Sequence, residues 1–220
     1  MKKLAILCFG FLLLANSLLQ AQKLIPYEND ATRYDSKWGF KNEKGIIVIA
    51  AKYDSVGTFN EGLARVCLDE KWGFIDQKGK ETFALKYNYV GSFNNGLAIV
   101  SKDGIFFGMI DKNEKTIVPF KHHYIEGFSE GIALVTIGEK YGFVDYTGKE
   151  ITPVKYDYAH RFTEGMALVK LNDKTGFINK TGKEIIGLKY DYVKPFKKGK
   201  AEAMLKNRKF YIDKTGKEIR

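Results

Sequence analysis

Apolar positions along the chain fall into two regimes. Leu4 to Ala15 is an apolar run relieved only by Gly10, with Lys2 and Lys3 before it and Leu19-Gln20-Ala21 after it. A basic start, an apolar centre too short for a stable transmembrane helix and a small final residue are the marks of a secretory signal peptide cleaved after Ala21. Beyond it, apolar and polar positions alternate over short stretches. Ala64, Val66 and Leu68 alternate with Leu63, Arg65 and Cys67, the period of two that predicts a β-strand.

These stretches recur. Lys71-Trp72-Gly73-Phe74-Ile75-Asp76 returns as Lys37-Trp38-Gly39-Phe40 and as Lys140-Tyr141-Gly142-Phe143-Val144-Asp145. Phe107 to Asp111 and Thr175 to Asn179 are weaker copies. The glycines at 39, 73, 108, 142 and 176 are spaced by 34, 35, 34 and 34 residues, and those at 62, 96, 131, 165 and 199 keep the same steps. Five full repeats and a partial sixth, from Arg208 to Gly216, result. Asp76 to Gly79, Asp145 to Gly148 and Asp213 to Gly216 have the chemistry of a hairpin turn, in which Asp bonds its own backbone and Gly takes a left-handed conformation. Gly73, between Trp72 and Phe74, predicts a close approach, expected here from a ring of the adjacent unit. Phe59, Phe93, Phe128, Phe162 and Phe196 predict a stacked aromatic core, and the column Ala64, Ala98, Ala133, Ala167 and Ala201 a second tight contact.

Each unit is expected to supply about three short strands, and a unit this small must stack on its neighbours to bury an apolar face. The fold class is therefore all-β, with tandem hairpin repeats stacked as an elongated array or solenoid. β-Propeller-like closure is the alternative, although propeller blades usually have four strands and roughly 40–45 residues. Three segments follow: the signal peptide at 1–21, a half-repeat cap at 22–36 and the repeat domain at 37–220. The chain resembles the WG-repeat (KWG-repeat) family of bacterial proteins. The Trp-Gly-Phe cores at 38–40 and 72–74, the Gly-Lys-Glu turns at 79–81, 148–150 and 182–184 and the Lys-Tyr-Asp triplets at 52–54, 155–157 and 189–191 carry the match. Phe-x-x-Gly-x-Ala stretches such as Phe59 to Ala64 add to it. The resemblance implies β-rich tandem units, often in exported proteins, with no established catalytic residues. The third repeat departs from the pattern, with Glu114 at the turn glycine and His122-His123 in place of Tyr-Asp.

A search for chemistry changes this picture little. Two cysteines exclude a disulfide scaffold, and signal cleavage leaves Cys67 alone in a strand-like segment, where it reads as a half-buried inert thiol. His122, His123 and His160 are scattered, and neighbouring residues of a strand face opposite ways, so no metal site, cofactor or catalytic group is implied. No P-loop, dinucleotide fingerprint, HExxH or GxSxG occurs. Repetition suits binding better. The leading expectation is an exported, non-enzymatic binding or scaffold module at the cell envelope, periplasmic, cell-surface or secreted, with a protein or envelope polymer as partner. Nucleic acid is not expected after export, nor a transmembrane segment after cleavage. The alternative is glycan binding through exposed Trp38, Trp72 and Tyr141, and an envelope hydrolase ranks below both.

The formal charge of +10 then divides unevenly. Residues 22–193 hold 24 basic and 23 acidic residues, whereas 194–209 hold seven basic residues and one acid. Lys194, Lys197, Lys198, Lys200, Lys206, Arg208 and Lys209 thus form a basic end, either a surface for an acidic partner or a solvated cap.

Overall fold

A computed structural model describes residues 23–29 and 36–219; the expected signal peptide lies outside the described residues. The first strands are β1 (Leu24–Glu28), β2 (Trp38–Asn42) and β3 (Ile47–Tyr53), which pair antiparallel as sheet 1. Next come β4 (Ser55–Val56), β5 (Leu63–Leu68), β6 (Lys71–Asp76) and β7 (Glu81–Tyr87), a four-stranded antiparallel meander that forms sheet 2. Sheets 3 to 6, over 89–122, 124–156, 158–190 and 192–219, repeat that meander. The array is all-β, as the periodicity predicts. Each full sheet has four strands where three were expected, because the opening strand is only two residues long, too short to show a period.

The turn columns behave as their chemistry predicts. Asp76 Oδ1 accepts hydrogen bonds from the Lys78 and Lys80 amides at 2.8 and 2.9 Å, and Gly79 closes the turn at φ 79°. Asp111, Asp145, Asn179 and Asp213 repeat these contacts. Glu114 takes the turn glycine's left-handed conformation at φ 63°, and its carboxylate receives the Tyr87 hydroxyl and the Lys86 ammonium, both at 2.7 Å. The strand glycine answers to a different neighbour than expected. Between Trp72↔Tyr87 and Phe74↔Phe83 the register shifts, so β7 bulges over Gly73. A Cβ there would lie 2.6 Å from the Phe83 carbonyl oxygen and 2.9 Å from that of Ala84. The group that approaches is the backbone of the same sheet, not a ring from the adjacent unit.

The two faces of each sheet carry different sizes of side chain. Ala64, Val66 and Ile75 turn back to Phe40, Ile49 and Tyr53 of sheet 1. Phe74, Phe83 and Tyr87 turn forward to Val90, Ala98, Val100 and Ile110 of sheet 3. Small residues against rings let the sheets approach closely, which is what the alanine column does. The loop phenylalanines complete each junction by reaching back one sheet. Phe59 meets Phe40 at 4.8 Å between ring centroids, Phe93 meets Phe74 at 4.8 Å, Phe162 meets Phe143 at 5.2 Å and Phe196 meets Phe177 at 4.7 Å. Such inclined pairs contribute roughly 0.5–1.5 kcal/mol each beyond the area they bury.

Polar ties reinforce the same junctions. Glu61, held at φ 50° in a turn closed by Gly62, accepts the Gly96 amide of the next sheet at 3.1 Å and the Lys112 ammonium at 3.0 Å. Glu130 does the same with Gly165 and Lys180, and Glu164 with Gly199 and Lys214. The Lys112 partner holds the Glu61 carboxyl below its usual range, and the Gly199 amide does the same for Glu164. Among the described residues these ties join sheets 2 and 3, 4 and 5, and 5 and 6, and none joins sheet 1 to sheet 6.

Candidate functional site

The surface with the most recurrent chemistry was not singled out in the sequence. Tyr89, Tyr124, Tyr158 and Tyr192 each open the short edge strand of sheets 3 to 6 and are 42%, 53%, 46% and 49% exposed. They form a row, one ring per sheet. Two residues earlier, Tyr87, His122, Tyr156 and Tyr190 are at most 4% exposed. Strand alternation would place both tyrosines of a Tyr-x-Tyr sequence on one face. The bend at Asp54, Asn88, His123, Asp157 and Asp191 instead carries the chain from one sheet to the next, so the first ring is buried and the second emerges. Asp157 and Asp191 fix that bend. Asp157 accepts Lys140 Nζ at 2.5 Å and the Asn172 amide at 2.8 Å, and Asp191 accepts Lys174 Nζ at 2.6 Å and the Lys206 amide at 2.7 Å.

Trp38, Trp72 and Tyr141 are half-buried. The Arg65 guanidinium stands 5.4 Å from the Trp72 ring, and Tyr141 lies 5.7 Å from Tyr158 of the following sheet. Tyr141 thus backs an exposed tyrosine, whereas the sheet after Trp38 has Ser55 at the row position.

The basic end separates into parts. On the outer face of sheet 6, Lys200, Glu202 and Tyr211 occupy the positions filled in sheet 5 by Met166, Leu168 and Phe177, all of them buried under sheet 6. Where no further sheet follows, the column turns polar, as a terminal repeat requires. Lys194 pairs with Glu202 at 2.9 Å, and Arg208 holds Glu218 through two bonds of 2.7 and 2.6 Å. Lys198 and Lys206 donate backbone amides to Glu164 and Asp191, and Lys209 lies opposite Met204. Lys194, Lys197, Lys198 and Lys200 line an open groove with Tyr192 and Tyr211.

The model of the family described as "WG containing repeat" matches residues 38–72, 72–104, 107–141, 141–174 and 176–209. The chain belongs to the WG-repeat family. No curated protein matches this WG-repeat chain. Among solved structures it is similar to BamB from Moraxella catarrhalis at 7% identity and a TM-score of 0.44, over 90% of this chain and 70% of that one. It is also similar to Kluyveromyces lactis Hsv2 at 10% identity and a TM-score of 0.41, over 73% of this chain and 59% of that one. The computationally designed Ika4 protein gives 11% identity and a TM-score of 0.35, over 55% of this chain and 87% of that one. The match thus spans less than two thirds of the Hsv2 chain, and none of the three is near enough to transfer a role.

Within the WG columns the reactive residue types have structural partners or stand apart. Cys67 is buried at 7% exposure, more deeply than expected, and burial together with nearby Asp54 pushes its thiol up, away from the thiolate. His122 occupies the buried tyrosine column at 1% exposure, and burial with Lys121 alongside pushes its imidazole down. His123 Nδ1 accepts the Gly138 amide at 2.9 Å, and His160 lies on a different sheet junction. No group of three His, Cys, Asp or Glu able to hold a metal occurs among the described residues, and no described helix is long and apolar enough to cross a membrane.

Proposed function

We propose that this WG-repeat chain is an exported, non-enzymatic binding or scaffold module that grips an extended protein or envelope polymer along its tyrosine side. The row of Tyr89, Tyr124, Tyr158 and Tyr192 carries the reading. Large amphipathic rings exposed at regular intervals are costly to leave in water unless a partner covers them, and tyrosine is enriched where proteins meet partners. Export rests on the amino-terminal sequence alone. A non-enzymatic role is supported by the dispersal of histidine, cysteine and acidic residues among separate junctions, whereas catalysis needs unlike groups converging on one point.

The test is capture from an envelope fraction by the immobilised chain from residue 22 onward, across a salt series. Recognition through the aromatic side persists at about 0.5 M salt, where screening reduces charge interactions to a range of a few ångströms. Capture that disappears by about 0.2 M salt would place recognition on the basic end instead.

A further inference from the structure

The residue before the WG glycine is Trp38, Trp72, Phe107 and Tyr141 in successive units, and then Thr175. In the fourth sheet the ring at this position lies against the row tyrosine of the next sheet, Tyr141 on Tyr158 at 5.7 Å. One sheet later the row tyrosine is Tyr192, 49% exposed, but the ring that would lie against it is missing. A pocket of about 280 Å³ occupies the place, lined by Tyr158, Leu168, Lys170, Thr175, Tyr192 and Pro195. Tyr192 and Pro195 also border the second hollow, the groove of about 610 Å³ at the basic end. Four lysines line that groove, Lys194, Lys197, Lys198 and Lys200, against the single acid Glu202, which Lys194 already engages.

Resting on the binding-module reading, we propose that the Thr175 pocket receives one pyranose ring of an acidic oligosaccharide, whose next acidic group lies in the lysine groove. A pyranose has an apolar face that stacks on an aromatic ring and a hydroxyl rim that needs polar neighbours. The pocket offers both, with the exposed Tyr192 ring as platform and Thr175, Lys170 and Asp191 around it. The volume is close to the lower end of ordinary small-ligand sites, roughly 300 Å³, so it suits a single ring. The lysine excess alongside selects an anionic polymer over a neutral one.

Trigalacturonic acid, titrated calorimetrically into the chain from residue 22 onward with maltotriose in parallel, is the direct probe. The acidic trisaccharide is expected to bind at least about tenfold more tightly than the neutral one. Thr175→Trp or Thr175→Tyr, which restores the ring of the other repeats, should abolish that binding without lowering the melting temperature. Lys197→Gln with Lys198→Gln should weaken it about tenfold while leaving the pocket intact. Equal binding of the two sugars, no binding of trigalacturonate, or full binding by a folded Thr175→Trp variant would overturn the proposal, as would preference for a tryptophan-containing peptide. Tyr89 and Tyr124 lie outside this pocket, so capture through them tests the broader reading separately.

Discussion

At the scale of single residues, the sequence located the tight positions but misidentified one neighbour. Gly73 was legible as a close approach, yet the approaching group is the bulged strand β7, because register shifts within a sheet leave no periodic trace. Gly73→Ala should therefore destabilise by about 1–3 kcal/mol, the range for forcing atoms into a packed site. The control is Gly127→Ala, where a Cβ meets nothing within 4 Å, and its effect should stay within about 0.5 kcal/mol. Chemical denaturation reads both. His122 was legible as a drifted tyrosine and is one in burial, but neither of its ring nitrogens has a hydrogen-bond partner. Burial and Lys121 hold its folded-state pKa down, against smaller upward pulls from the Pro119 carbonyl and from Glu150. The unfolded chain therefore takes up the proton first, and stability is full above about pH 6.5 and declines as pH falls below it. A melting series from about pH 7 to about pH 5 should show that decline, and His122→Tyr should reduce it.

At the scale of elements, the hairpins and their turns follow from Asp, Gly and alternation, while the fourth strand and the junction ties do not. A two-residue strand has no period to read, and Glu61 reaching Gly96 is a contact between repeats that one repeat cannot reveal. Once seen, the tie can be followed along the chain. Glu61, Glu130 and Glu164 make it, but Asn95 holds the same turn position, at φ 52°, between sheets 3 and 4. That junction also has Met109 where the others have phenylalanine, and it contains His122. Its amides, such as those of Ile125 and Val135, should exchange with solvent faster than those of Val90 and Val100 at the preceding junction. Asn95→Glu, which directs a carboxylate toward the Gly131 amide, should slow that exchange and add about 0.5–1 kcal/mol.

At the scale of the whole molecule, a near-neutral stack ends in charge because its last face meets water. Lys200, Glu202 and Tyr211 stand where sheets 3 to 5 have apolar residues, and at the other end Lys41 replaces the Ile75 position while the Tyr27 hydroxyl accepts the Ala51 amide at 3.1 Å. The basic end was legible as a composition shift, but its division into cap and groove needed the pairing of sheet 6. Lys200→Leu with Glu202→Leu should recreate an inner face on the outside and make the chain self-associate, read as a mass increase in light scattering. The central claim is that recognition runs along the tyrosine side. Quantitative capture from an envelope fraction, comparing the unaltered chain with Tyr89→Ser/Tyr124→Ser, tests it most directly. Loss of about tenfold or more in capture, with an unchanged melting temperature, is the predicted result; undiminished capture by the folded double variant would contradict it.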